Sequence, residues 1–222
     1  PKKILPALIL AAFLPVQAAE VVGKYDLGEL PFAAYDYKAS LNADGSAVIG
    51  GLYDSRTQQT IMWHGKDYQE KLYIGTSQIS FPIYSGGHIL SKDKSVTAGF
   101  RSIKRERDKH RNFYEIRSII WRGKNYQEKI ELGSLRSDNL DGAGLLALNT
   151  DGSIAAGYAH NDNDEDHAIV WRGKDYGDKL DLGTLKSDNS GTSLAAALSA
   201  DGSVAAGRAD NNSGKKHAVV WR

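Results

Sequence analysis

Tryptophan recurs in this chain at a fixed interval. Trp121, Trp171 and Trp221 stand fifty residues apart, and Trp63 lies fifty-eight before Trp121. An aspartate follows thirty residues after each of the first three, at Asp93, Asp151 and Asp201, so the eight extra residues of the second unit all fall between Asp93 and Trp121. Asp44 is the matching aspartate of the first unit. Aligned on these aspartates, Leu41, Leu90, Leu148 and Leu198 lie three before, Ser46, Ser95, Ser153 and Ser203 two after, and Gly50, Gly99, Gly157 and Gly207 six after. A self-similar period of this length is the mark of a repeat architecture, in which each copy buries its apolar face against the next.

Each copy holds four short apolar runs of strand length, parted by turn chemistry. In the last they are Ser193–Ser199, Ser203–Arg208 and His217–Arg222, with Lys179–Leu185 in the preceding link. No stretch keeps a helical period. Four strands per fifty residues is the size of a propeller blade. The expected fold is all-β: a β-propeller-like array of four antiparallel four-stranded blades, about sixteen strands with almost no helix. The units run approximately 25–63, 64–121, 122–171 and 172–222. The Ala-rich run 193–199 suits the crowded innermost position, followed outward by 203–208, 217–222 and the K-L-D-L-G-T-L type. On that order Tyr25–Leu30 is an outermost strand, expected to pair with the strand ending at Trp221 and close the ring. The Asp-Gly pairs at 44–45, 151–152 and 201–202 predict two-residue hairpins, with glycine at positive φ.

Ahead of the repeats stands a three-part leader. Lys2 and Lys3 form a basic region, Ile4–Leu14 an apolar run too short for a bilayer, and Val16-Gln17-Ala18 a small-residue cleavage pattern. Residues 1–18 therefore read as a secretory signal peptide, with Ala19 opening a repeat domain over 19–222. The chain starts on Pro1 without a methionine and stops where earlier copies continue, which reads as a piece of a longer protein. Losing Lys2 and Lys3 leaves 26 of the 28 basic residues against 27 acidic ones, a net charge of −1. That balance exerts no global pull on nucleic acid or membranes. Cysteine is absent, which excludes disulfides and thiolate metal sites.

The recurring D-L-G-x-L, A-L-x-x-D-G-S, G-x-A and H-A-x-V-W elements resemble the HAF-type extracellular repeats of bacterial surface proteins, often found in autotransporter passengers. The resemblance covers nearly all of 25–222. It is close in the last two units, good in the first and degraded in the second, where Tyr73-Ile74-Gly75 replaces D-L-G and no histidine precedes the final strand. It implies an exported or cell-surface location, secreted or at the outer membrane, and an outer-membrane barrel in a longer parent protein.

A group that recurs in every blade is expected to be scaffold, so function is sought in what one blade alone carries. The tryptophans, leucines, glycines and Asp-Gly turns are structural on that rule. The A-x-D-G-S element is faintly similar to a sialidase Asp-box but lacks its aromatic ending. His167 and His217 open matching strands and read as structural rather than as a metal pair. Ser137, Asp138 and Asn139, repeated as Ser187, Asp188 and Asn189, suit turn closure in the links between blades and are candidate binding residues. Three features are unique. The second unit's long loop, Arg101 to Arg111, carries a net +4, with Lys104, Arg105, Arg107, Lys109 and Arg111 as candidate binding residues. The matching loop of the third unit, 161–166, carries −4. His88 occupies an inner-strand position filled elsewhere by Ala39, Leu146 and Ala196.

The acidic loop starts like a calcium loop, with Asp162, Asp164 and Asp166, but His167 follows where glycine is needed and Gly173 stands where a bidentate glutamate belongs. No metal or cofactor is expected. The basic loop suits an extracellular polyanion, DNA or an acidic glycan; its cations have no interleaved aromatics before Phe113 and Tyr114, which weakens single-strand stacking. Links and second-to-third-strand loops should open on one face, where the two charged loops sit on adjacent blades and pair within or between molecules. The expected function is a non-enzymatic adhesion and interaction module acting through polyanion binding or self-association. A polysaccharide hydrolase or lyase would need convergent carboxylates or a histidine, and no spacing identifies catalytic residues. A structural spacer is the third reading.

Overall fold

The computed structural model describes residues 24–27, 39–53, 57–78, 89–108, 111–139 and 142–222. The signal peptide, His88 and Lys109 lie outside them. The described residues form fifteen strands and three single-turn 3-10 segments. The first sheet is an antiparallel meander of β1 (Ala39–Leu41), β2 (Ala47–Tyr53), β3 (Thr57–His64) and β4 (Glu70–Gln78). The same meander returns as β5 (Ile89–Leu90), β6 (Val96–Asp108), β7 (Arg111–Arg122) and β8 (Glu128–Glu131), and as β9 (Ala143–Leu148), β10 (Ala155–His160), β11 (Asp166–Arg172) and β12 (Asp178–Gly183). These two join as one eight-stranded sheet through a single parallel bridge, Arg117 to Ala143. The last sheet has three strands, β13 (Ser193–Leu198), β14 (Ala205–Asp210) and β15 (Lys216–Trp221).

The four strands of each meander follow one another in the order expected from sequence, the third running from the Ala- and Leu-rich β9 to the D-L-G strand β12. First strands touch one another in chain order, β1 to β5 to β9 to β13, as strands nearest a common axis must. Three apolar cores lie between successive units: the first and second meanders, the second and third, and the third and the last sheet. Ile49, Met62, Leu90, Ile119 and Trp121 share the first, Val96, Ile120, Leu145, Ile169 and Trp171 the second, and Ala156, Ala168, Val170, Ala195 and Ala205 the third. No single meander has a core of its own; each core is shared with a neighbouring unit.

Two expectations are corrected. The Asp-Gly pairs turn the chain, and Gly45, Gly152 and Gly202 take φ of 71°, 69° and 75°, but they do not form two-residue hairpins. They sit third and fourth in connections of five or six residues, 42–46, 149–154 and 199–204, because a side chain two before the aspartate takes up the far end of the turn. Ring closure is not seen either. Among the described residues, no pairing joins 24–27 to β15; the Leu27 carbonyl instead accepts Trp63 Nε1 at 3.1 Å.

Candidate functional site

The repeated polar residues are engaged within the scaffold, beginning with the aspartate turns. Asp44, Asp93, Asp151 and Asp201 each accept the backbone N–H of the serine two residues on, at 2.9 to 3.0 Å. Asn42, Ser91, Asn149 and Ser199 each accept the N–H five residues on, at 2.8 to 3.0 Å. In the second sheet Lys94 replaces the glycine and still adopts φ 67°. The serine hydroxyl and N–H of Ser46 draw the Asp44 carboxyl down to about 2, and Ser199 and Ser203 do the same for Asp201. Successive turns are linked: Ala43 N–H donates to the Lys92 carbonyl at 3.0 Å, Asp93 N–H to Thr150 at 3.3 Å, and Thr150 N–H to Ala200 at 3.0 Å.

A tyrosine five residues after each of three tryptophans braces these turns. Tyr68, Tyr126 and Tyr176, in the G-K-D/N-Y segments, donate their hydroxyls to the carbonyls of Gly45, Lys94 and Gly152. Burial pushes Tyr126 and Tyr176 up to about 12, so both stay protonated donors. The brace went unread in the sequence, where the segment passes for a polar connection; the fixed Trp-to-Tyr spacing was the available signal.

At the opposite end of the strands lie the links and the second-to-third-strand loops. Asp162 accepts both the N–H and the hydroxyl of Ser137, at 2.8 and 3.0 Å. Asn212 serves Ser187 in the same way. Arg136 bridges Asp138 and Asp164. Asn139 and Asn189 sit at φ 55° and 56°; the first accepts Lys179 Nζ and the second Thr184 N–H. Asp188 caps Ser190. Both Ser-Asp-Asn sets are thus closed turns whose polar atoms are engaged internally. The acidic loop is spent likewise: Glu165 accepts Gly191 N–H at 2.7 Å, and Asp166 meets His160 at 3.0 Å. Its acids hold the links of their own and the next sheet. His167, buried at 2% exposure, is fixed by Asp181 at 2.9 Å, a structural histidine as expected.

The basic segment differs from the loop expected. Lys104, Arg105 and Arg107 belong to β6, and Arg111 opens β7. The eight inserted residues lengthen both strands of the hairpin, to 13 and 12 residues against 6 and 7 in β10 and β11. Ile103, Phe113, Tyr114 and Ile116, β-branched or aromatic, favour the extended form and outweigh the charge that suggests a solvated loop. At about 3.3 Å per residue the ribbon reaches roughly 15 Å past its counterparts. Its register sets Lys104 opposite Tyr114 and Arg105 opposite Phe113, so the aromatics that look distant in sequence are cross-strand partners of the cations.

Neither a protein-family model nor a curated protein sequence matches the chain. Solved structures do. TolB from Acinetobacter baumannii superposes with a TM-score of 0.55 at 9% identity, over 82% of this chain and 40% of that one. An acylaminoacyl peptidase gives 0.53 at 12%, over 84% and 31%. The hydrazine synthase of Kuenenia stuttgartiensis gives 0.50 at 12%, over 82% and 57%. The fold is β-propeller-like. The chain spans between 31% and 57% of the lengths of these structures, and identities this low carry the fold alone.

Proposed function

We propose that the protein is an exported bacterial interaction module that binds an extracellular polyanion through the β6–β7 ribbon. In this reading each meander is one blade of an array of four, and the repeats are of the HAF type. The observation that carries it is the ribbon. It breaks the repeat, it protrudes, and it sets basic residues beside aromatic ones in register, while the recurring aspartates, serines and histidines serve turns and links. Cations position a polyanion through its phosphates, sulfates or carboxylates, and aromatic rings add stacking on bases or sugars. Contact of this kind is weakened by salt.

The test is retention of the mature protein on heparin and on DNA at rising salt, wild type beside a variant with Lys104, Arg105 and Arg107 changed to alanine. The wild type should be retained at low salt and the variant lost, with unchanged unfolding, since such surface changes move stability by about 0.5 kcal/mol or less. Co-elution of the two proteins would overturn the reading.

A further inference from the structure

The cores at the root of the ribbon fix which way each of its faces is turned. On β7, Ile119 and Trp121 belong to the core shared with the first meander, and Ile120 to the core shared with the third. On β6, Val96 and Ala98 join the third-meander side. Residues two apart on a strand share a face, and so do cross-strand partners. Continued outward, the face on the first-meander side receives the pairs Arg101–Arg117, Ile103–Glu115 and Arg105–Phe113. The register shift between Glu106 and Asp108 makes Arg107 the extra residue of a bulge, so the pair Asp108–Arg111 falls on that side as well. The opposite face receives Ser102–Ile116, Lys104–Tyr114 and Glu106–Asn112.

The two faces differ in charge. The first-meander side holds four arginines against Asp108 and Glu115, a net +2, whereas Lys104 and Glu106 cancel on the other. Arg117, at the root, is paired with Glu131 at 3.6 Å, and Arg101, Arg105 and Arg111 are the cations beyond it. The flanking units differ too. On the third-meander side stands the loop 161–166 with its four acids, which disfavours an anion there. On the other side β4 lies against β6. Ile49, Met62 and Ile74 mark the face of the first meander that is turned to the second. By register, Tyr53, Gln58 and Ser77 continue that face outward, giving an uncharged wall of phenol, amide and hydroxyl residues.

We infer that the ligand is an acidic glycan and that it lies on the first-meander side, between the β2–β3 hairpin and the arginine face of the ribbon. This rests on the ribbon as the binding element and adds which face acts and on which polymer. Guanidinium groups hold carboxylates and similar oxyanions by paired hydrogen bonds, which suits Arg101, Arg105 and Arg111 to the acidic groups of the chain. Phe113 supplies a ring for a sugar face. The walls favour a glycan over DNA on two grounds. Duplex DNA carries a charge every ~1.7 Å of its axis, whereas the four residues from Arg101 to Arg105 span roughly 13 Å. Asp108 and Glu115 also interrupt the arginines, and a continuous row of phosphates would be repelled there. Sugar hydroxyls donate to carboxylates and to the amide oxygen of a glutamine, whereas a phosphodiester backbone offers them no donor.

The test titrates the mature protein with heparin oligosaccharides and with duplex DNA at matched salt. Three double variants separate the surfaces: Arg105→Gln with Arg111→Gln on one ribbon face, Lys104→Gln with Tyr114→Thr on the other, and Tyr53→Ala with Gln58→Ala on the far wall. All these positions lie beyond the residues of the cores, so circular dichroism should match wild type. The first variant should weaken heparin binding by about tenfold or more and flatten its salt dependence. The second should stay within about twofold of wild type. The third should weaken binding severalfold at an unchanged salt slope, because it removes no charge. Wild type should hold heparin more tightly than DNA. Equal losses from the two ribbon faces, or no loss from the far wall, would overturn the groove while leaving the ribbon reading in place. Tighter binding of DNA would overturn the glycan. A wild type that binds neither polymer at low salt would instead remove the ribbon reading, and this proposal with it.

Discussion

Asp201 accepts the Ser199 hydroxyl at 2.6 Å and the N–H and hydroxyl of Ser203 at 3.0 and 2.8 Å, and Asp44 does nearly the same in the first sheet. All of these donors favour the charged carboxylate, which is why both titrate near 2 rather than at the ordinary value of about 3.9. A folded-state value below the unfolded one adds stability that is complete above the unfolded value and is lost as pH falls through the folded one. Melting temperature should therefore hold above about pH 4 and fall toward pH 2. Changing both aspartates to asparagine keeps an acceptor but removes the titration, so the drop between pH 5 and pH 2.5 should shrink; an unchanged drop would assign it to other groups. Gly157 and Gly207 are held by contact rather than by turn geometry. A Cβ on either would strike the carbonyl of Gly144 or Leu194 across a bulged pair of strands, and backbone has little room to yield. Gly157→Ala should cost about 1–3 kcal/mol in chemical denaturation. The recurrence of these glycines was plain in the sequence, but its cause was not, because the bulge depends on the partner strand's register.

Between residues and the molecule stand the turn with its tyrosine brace and the ribbon. Tyr176 is 4% exposed and its hydroxyl ties the G-K-D-Y segment to Gly152, across the strand ends of one sheet. Tyr176→Phe should lower stability by about 1 kcal/mol by leaving that carbonyl short of a donor; a neutral result would mean the brace orders the turn without stabilising the fold. Strand order was legible because composition differs by position, as in the third meander with alanine and leucine on β9 and D-L-G on β12. The ribbon was not. Its charge resembles a loop, whereas its extended form follows from Ile103 and Ile116 falling opposite Glu115 and Ser102 in a hairpin whose register is set by Gly99 and Ile119 below it. Likewise the acids at 162–166 look like a ligand loop in sequence; their partners Ser137, Arg136 and Gly191 lie about 25 residues away.

Across the whole molecule, stability comes from contacts between sheets. Trp171 is fully buried beside Val96 and Ile120 of the preceding meander, so Trp171→Ala should cost about 3–5 kcal/mol and loosen two meanders together. An all-β repeat was readable from the tryptophan spacing; how each unit turns against the last was not, since that depends on the packing between them. On this scaffold the ribbon is the departure from repetition, and the account stands on its binding a polyanion. The most direct measurement replaces residues 103–115 with a connection of the length found between β10 and β11, and follows heparin affinity against salt. Wild type should lose affinity linearly in log–log form with a slope set by several released counterions. The shortened protein should fold alike by circular dichroism and show almost no affinity at any salt. Equal affinity and slope in the two proteins would contradict the account.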